Sequence, residues 1–379
     1  MRICVVYDCL FPYTVGGAER WYRNLALRLA AEGHAVTYLT LRQWDRRAAV
    51  DLPGVRVVQA GPRMRLYSGP GQRRVAPPLV FGAGVLWHLL RHGRDYDVVH
   101  TASFPYFSVL AAAVARPLGR FRLVVDWHEL WSREYWRAYL GAAGGRIGWL
   151  VQKACLRVRQ RAFCFARLTA ARLRAERLRG EVTVLSGEYA GPLEAPPPEP
   201  AEPVVVFAGR HIPEKRAPAA VAGVAAARAT APQLRATIFG DGPERAAVLA
   251  AIAEQGLDGV VCAPGFVAHE ELETTMARAL CLLHPSQREG YGLVVVEASA
   301  LGVPSIVVAH PDNAAVELVE DGVNGIVAPD DEPATLAAAI HRVLEAGPAL
   351  RASTADWFAR NARRLSIDAS LDAVAESYR

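Results

Sequence analysis

Residues 191–203, GPLEAPPPEPAEP, carry six prolines and no apolar periodicity. Proline locks φ and lacks an N–H, so such a run cannot continue a helix or the interior of a sheet. It reads as a stiff, extended linker. The same rhythm stands on both sides of it. Before it, the apolar strands ICVVYDCL, AVTYLTL, VRVVQA, DVVHTA and LVVDWH alternate with helical stretches. The first of these stretches repeats Ala18, Trp21, Tyr22, Leu25, Ala26 and Leu29 at helical spacing and ends at Gly33. After the linker come VVVFAG, ATIFG, GVVCAPG, CLLHPS, PSIVVA and GIVAP, again separated by helices. Alternating strands and helices build a parallel sheet covered on both faces. The expected fold class is therefore α/β, with two Rossmann-like doubly wound domains at 1–190 and 204–355 joined by the 191–203 linker. Residues 356–379 read as terminal helices. Ligands of such sheets bind at the carboxyl ends of the strands, so a central cleft between the two domains is the expected site.

A chain of 379 residues is long enough for two cores. No apolar run reaches the roughly 18–20 residues of a membrane span, and Met1-Arg2 leads straight into a strand, unlike a signal peptide. The six cysteines show no CxxC pair and no metal-ligand spacing, which reads as reduced, buried thiols. A cytoplasmic protein is the expectation. The net charge of +5 conceals an asymmetry: residues 1–200 hold 29 Arg+Lys against 15 Asp+Glu, and the remainder 14 against 23. That excess suits an anionic surface or ligand, or reflects an arginine-rich composition in two complementary halves. Ten of the basic residues fall within 146–179 at helical spacing, with Trp149, Leu150, Leu156 and Phe163 between them. An amphipathic helix packed on the body, or one making weak peripheral membrane contact, fits this better than a nucleic-acid surface.

Two motifs are set aside. Gly82, Gly84 and Trp87 place a tryptophan where a dinucleotide fingerprint needs its third glycine. Asp95 and Asp97 form a DxD, but at the amino end of a strand, the wrong end for a ligand. Four other segments follow strands directly. Gly16 and Gly17, with Glu19, open the first helix, where free N–H groups favour an anion. Arg210 and Lys215 follow VVVFAG. Lys215 is one of two lysines against 41 arginines, which suggests a site that wants a compact ammonium. The pair would clamp a diphosphate from two sides or sit as solvated surface charges. In EGYGLVVVE, Glu289 and Glu297 bracket Gly290, Tyr291, Gly292 and Leu293. The N–H groups of Gly292 and Leu293 at a helix start suit a phosphate, and carboxylates suit the hydroxyls of a sugar or ribose beside it. Last, Trp127, His128 and Trp131 lie in an aromatic run after LVVDWH. Such rings stack on sugars, and a strand-end histidine can orient a reacting hydroxyl or be a satisfied core residue.

Taken together, these segments resemble the retaining glycosyltransferases of family 4, which have the GT-B fold. The resemblance runs along nearly the whole chain: GGAE at 16–19, GR….K at 209–215, GDGPER at 240–245 with Gly242, the E-x7-E from Glu289 to Glu297, and VEDGVNGIVAPDD at 319–331. It implies that the second domain binds a nucleotide-sugar donor and the first an acceptor, with the terminal helix crossing back onto the first domain. By resemblance, Glu297 holds the ribose hydroxyls and Glu289 a hydroxyl of the donor sugar. Arg210 and Lys215, assisted by the amides at Gly292, neutralise the leaving diphosphate, and Phe266 and Val267 lie against the base. His128 stands near the reacting sugar, with Glu19, Trp127 and Trp131 on the acceptor side. The catalytic set is thus His128, Arg210, Lys215 and Glu289. No metal and no cofactor are implied, and transfer retains the anomeric configuration. The acceptor is a small molecule, glycan or lipid. The alternatives are a sugar-nucleotide-binding protein without transferase activity, or an epimerase or phosphorylase of the same fold. A phosphorylase needs a pyridoxal lysine, for which Lys153 and Lys215 are the only candidates.

Overall fold

A computed structural model describes residues 1–14, 16–45, 50–66, 74–194 and 199–378. Prolines 196–198 of the linker lie outside the described residues. The chain packs as two compact units: Met1–Leu185 with Ser370–Arg379, and Ser186–Ala369.

In the first unit the order is β1 (Arg2–Val6), α1 (Gly17–Ala31), β2 (Ala35–Leu41), β3 (Val55–Gly61), α2 (Ala76–His92), β4 (Val98–Ala102), α3 (Phe107–Gly119), β5 (Arg122–Trp127), α4 (Arg133–Arg157), β6 (Gln160–Cys164), α5 (Arg167–Ala175) and β7 (Gly180–Val184). The strands form one parallel sheet, β3-β2-β1-β4-β5-β6-β7. Central β1 is buried on both faces, as its continuous apolar run requires. Strand order runs outward from β1 in both directions. Right-handed crossovers therefore put α1 on one face of the sheet and α2 and α3 on the other. Residues 146–179 are not one amphipathic helix. The end of α4, strand β6 and helix α5 divide them, because the apolar Ala162-Phe163-Cys164 is drawn into the sheet beside β5.

The second unit runs β8 (Val204–Ala208), α6 (Ala217–Arg228), β9 (Arg235–Phe239), α7 (Arg245–Glu254), β10 (Val261–Gly265), α8 (His269–Ala277), β11 (Cys281–His284), β12 (Arg288–Glu289), α9 (Leu293–Ala300), β13 (Ser305–Val308), β14 (Asp312–Asn313), β15 (Gly325–Ala328) and α10 (Pro333–Leu365). Its parallel sheet is ordered β10-β9-β8-β11-β13-β15, with β12 and β14 paired apart. Val205, Phe207, Val221, Ile238, Leu283, Ile306, Leu336 and Ile340 belong to its core. The alanine-rich α6 lets α10 come close: a Cβ at Gly223 would stand 2.7 Å from that of Leu336. Helix α10 kinks at Gly347, ahead of Pro348. A last helix, α11 (Ile367–Ser377), starts in this unit, but from Ser370 onward the chain belongs to the first. There Asp372 pairs with Arg28, and Tyr378 is buried.

Candidate active site

In the second unit, the loops after β8, β9, β11 and β13 interlock through their main chains. His211 N–H donates to Asp241 O (2.9 Å), and Glu244 N–H donates back to His211 O (2.8 Å). That closeness admits only glycine at two places. A Cβ at Gly240 would fall 1.8 Å from Gly209 O and one at Gly242 2.5 Å from His211 O, and both residues have positive φ. Gly242 thus holds the loop that carries Arg210 and Lys215. A single 3₁₀ turn, Pro213–Lys215, aims Lys215, and Gln287 N–H ties that turn to the next loop through Glu214 O (3.0 Å). Buried Asn313 fastens the far side: its amide donates to Ser286 O (2.9 Å) and Val308 O (2.8 Å), and its Oδ1 accepts from Ala315 N–H (3.0 Å).

Glu289 sits at the centre. Its Oε1 accepts from Lys215 Nζ and, at 2.7 Å, from His284 Nε2. The side chains are 12%, 16% and 1% exposed, respectively. Burial alone would raise the Glu289 pKa, but the Lys215 charge and the His284 hydrogen bond bring it down to about 2. Because an ionised carboxylate only accepts, His284 Nε2 carries the proton. Its Nδ1 is buried with no hydrogen-bond partner among the described residues. Gly292 then starts α9 in the left-handed region (φ 103°), packed so closely that a Cβ would meet Ala315 Cβ at 2.6 Å. No side chain caps the helix, and while Val295 N–H turns back to Gly292 O (2.9 Å), the amides of Leu293 and Val294 stay available. Glu297 is half-buried on α9, and with burial its charge pushes the Tyr189 hydroxyl up to about 12.

The remaining residues of this unit divide. Arg210 is exposed, with no side-chain ion pair among the described residues. Phe266 follows β10 and is 74% exposed, with Val267 half-buried beside it. Tyr291 turns inward: it is buried, and its hydroxyl donates to Ser186 O (2.9 Å), so it and half-buried Gly290 can offer a ligand only main chain.

In the first unit, His128 follows β5 with its ring stacked on Phe165 (4.9 Å) and edge-on to Tyr22 (6.2 Å). Burial lowers its pKa, so it is neutral at neutral pH, and its Nε2 lacks a hydrogen-bond partner among the described residues. Two residues earlier, fully buried Asp126 accepts from Trp21 Nε1 (2.8 Å) and His100 Nε2 (2.7 Å), and His100 Nδ1 bonds the Tyr378 hydroxyl. Burial would raise the Asp126 pKa, but His100 holds it below the ordinary value. Gly16 is the extended N-cap of α1, and the Glu19 carboxylate folds back over it: a Cβ there would lie 2.4 Å from Glu19 Oε2. Gly17 is open.

Trp127 does not serve an acceptor. It is fully buried, and its indole N–H is spent on Gln160 Oε1 (2.9 Å), because β5 points it into the core. Trp131 is half-buried and does carry an aromatic wall, within 5.5 Å of the Phe104, Tyr135, Trp136 and Tyr139 rings. Buried Gln152 sets that wall: its Oε1 accepts from Tyr106 Oη, Trp136 Nε1 and Trp131 N–H.

Two families account for most of the chain. Residues 194–364 match the glycosyl transferases group 1, and residues 15–186 match glycosyltransferase family 4. The chain belongs to the family 4 glycosyltransferases. The structural likeness agrees: sucrose-phosphate synthase from Thermosynechococcus elongatus superposes with a TM-score of 0.82 at 23% identity, covering 100% of this chain and 98% of that one. Anabaena HepE in complex with UDP-glucose does so with a TM-score of 0.75 at 19% identity, covering 100% and 99%. At such identities these neighbours establish the GT-B fold alone. Among sequences, alpha-D-kanosaminyltransferase of Streptomyces kanamyceticus is 32% identical over 178 residues, 47% of this chain and 45% of that protein. The match thus spans less than half of that relative's length.

For this family 4 glycosyltransferase the structure adds residues that motif reading passed over. His284 lies inside the HPS stretch beside the E-x7-E, yet nothing local says its ring reaches Glu289. His100 and Tyr378 are 278 residues apart and carry no sequence signal of their meeting. Among the described residues, no three His, Cys, Asp or Glu side chains group as metal ligands would.

Proposed function

We propose that the chain transfers a sugar from a nucleotide-sugar donor to a hydroxyl or other nucleophile of an acceptor, with retention of configuration and without a metal or cofactor. The observation that carries this is the Lys215–Glu289–His284 cluster at the carboxyl end of the second sheet. A lysine and an ionised carboxylate stand side by side there, next to an uncapped helix start. This is what a sugar diphosphate asks for: positive charge for the phosphates and an acceptor for a sugar hydroxyl. Breaking the anomeric C–O bond leaves negative charge on the diphosphate. Lys215, the free cation Arg210 and the α9 amides stabilise it as it grows, each donor being worth about 3–4 kcal/mol in comparable oxyanion sites. Donor binding draws Lys215 from Glu289 to phosphate and frees Glu289 for a sugar hydroxyl. Glu297 takes the ribose and Phe266 with Val267 the base. Neutral His128 meets the reacting sugar, Glu19 and the Trp131 wall face the acceptor, and the turn at Gly16 and Gly17, open at Gly17, faces the donor. The leaving phosphate takes the acceptor proton on the face it departs from, which retains the configuration.

The test is a panel of UDP-, GDP-, ADP- and dTDP-sugars, starting with UDP-glucose. One donor should raise the melting temperature, by the equivalent of about 2.7 kcal/mol at a hundredfold excess over Kd. The same donor should be hydrolysed slowly without acceptor, with metal chelator present, to the sugar of unchanged anomeric form as first product. Failure of every donor to stabilise the protein refutes the assignment.

A further inference from the structure

We infer that the outward face of α2 and α3 is a docking surface for an anionic lipid bilayer. The two helices lie on the same face of the first sheet and pack closely at two levels. A Cβ at Gly82 would stand 2.4 Å from Phe107 Cβ, and one at Gly93 would stand 3.3 Å from Gly119 Cα. Close approach near both ends of the pair makes the helices run side by side, so their solvent stripes form one flat surface rather than a groove. Each helix buries its other side: Phe81, Val85 and Leu89 on α2, and Ala111, Ala112 and Ala115 on α3.

That outward surface is apolar where a soluble protein is normally polar. Leu79 is 48% exposed, Trp87 59%, Leu90 44%, Val114 62% and Leu118 54%. Along α2, Leu79, Trp87 and Leu90 recur at helical spacing over about 17 Å. One exposed leucine needs no explanation, but five large side chains on two adjoining stripes do. The charges around them choose the occupant. Arg91 stacks over the Trp87 ring at 3.8 Å, and exposed Arg94 and Arg120 with half-buried Arg116 stand at the ends of the two helices. Asp95, beside His92 (3.4 Å), and Asp97, beside Arg2 (3.8 Å), are the only acids between Asp51 and Asp126. A second copy meeting this face across a twofold axis would set arginine against arginine, which disfavours self-association. Anionic headgroups meet the arginines while Trp87 and the aliphatic side chains enter the interface, the pattern of an interfacial anchor. This places membrane contact on α2 and α3 rather than on residues 146–179, and it does not depend on the donor chemistry.

The test is flotation of the full chain with vesicles of phosphatidylcholine and phosphatidylglycerol (7:3), against phosphatidylcholine alone. Binding is expected at low salt to the anionic vesicles only, and it should weaken as salt rises. Brominated acyl chains should quench part of the wild-type tryptophan fluorescence and quench Trp87→Phe less. Arg91→Gln and Arg120→Gln should each weaken binding about fivefold. Leu79→Ser/Trp87→Ser/Leu118→Ser, all at exposed positions, should keep its melting temperature and lose binding at least tenfold. The inference is overturned if wild type fails to float with anionic vesicles at low salt. It is overturned equally if the triple variant floats as well as wild type, or if light scattering finds a wild-type dimer that the triple variant dissolves.

Discussion

Replacing Glu289 by Gln keeps the shape of the side chain and removes its charge, leaving Lys215 and His284 facing a neutral amide. In the native protein the carboxyl titrates near 2, against an ordinary value of 4.5. A depression of that size corresponds to about 3 kcal/mol of stability, the scale expected when one partner of a buried pair is lost. With both side chains less than a fifth exposed, solvent screening leaves most of this intact. The sign follows from the direction of the shift. The folded-state value lies below the unfolded one, so the stabilisation is complete above about pH 5 and drains as pH falls from 4.5 toward 2. About 2 kcal/mol of it should be gone by pH 3. Urea denaturation of the second unit, followed at pH 7 and at intervals down to pH 3, should show wild type about 3 kcal/mol more stable at neutral pH. The gap should narrow with acid, because the Gln variant lacks this titration. Removing Lys215 as well, in Lys215→Met/Glu289→Gln, should restore part of the loss, since no buried charge is then left alone. Equal midpoints for wild type and Glu289→Gln at pH 7, or a gap that does not change with pH, would refute the reading of Glu289 as an ionised, paired carboxylate.

Arg210 is exposed and unpaired among the described residues, so Arg210→Ala should lower kcat by about 10²–10³ with no change in melting temperature. Lys215→Ala should lose both turnover and stability; a normal kcat in either variant contradicts the leaving-group role. Glu297→Ala should raise the nucleotide Kd at least tenfold in calorimetry, and an unchanged Kd removes the ribose assignment. Tyr378→Phe deletes the hydroxyl that bonds buried His100 and should cost about 1–3 kcal/mol in thermal unfolding. Gly240→Ala drives a Cβ into Gly209 O and should destabilise the second unit by more than Gly17→Ala does the first, where the space is open.

The alternation of strands and helices was legible because buried parallel strands need continuous apolar runs and their helices a 3.6 period. The positions of Lys215 and Glu289 were legible for a related reason: they lie in the segments that follow β8 and β11, and in a parallel sheet the strand end is the ligand end. Residues 146–179 misled because charge spacing was read without the strand inside it. Ala162-Phe163-Cys164 is short, and only pairing with β5 and β7 makes it a strand. Trp127 misled because it is still the last residue of β5, which is buried on both faces, whereas His128 and Trp131 lie beyond the strand end.

By itself, then, the sequence determined the two α/β units, the E-x7-E motif and the family. All of these are local patterns whose physics lies within some ten residues. Tertiary structure alone decided that Lys215 reaches across 74 residues to Glu289 and that His284 donates to the same oxygen. It also decided that Tyr378 closes a buried chain through His100 to Asp126. Such meetings depend on loop geometry and packing between distant segments. A carboxylate's pKa depends in turn on what those segments bring within 3 Å of it.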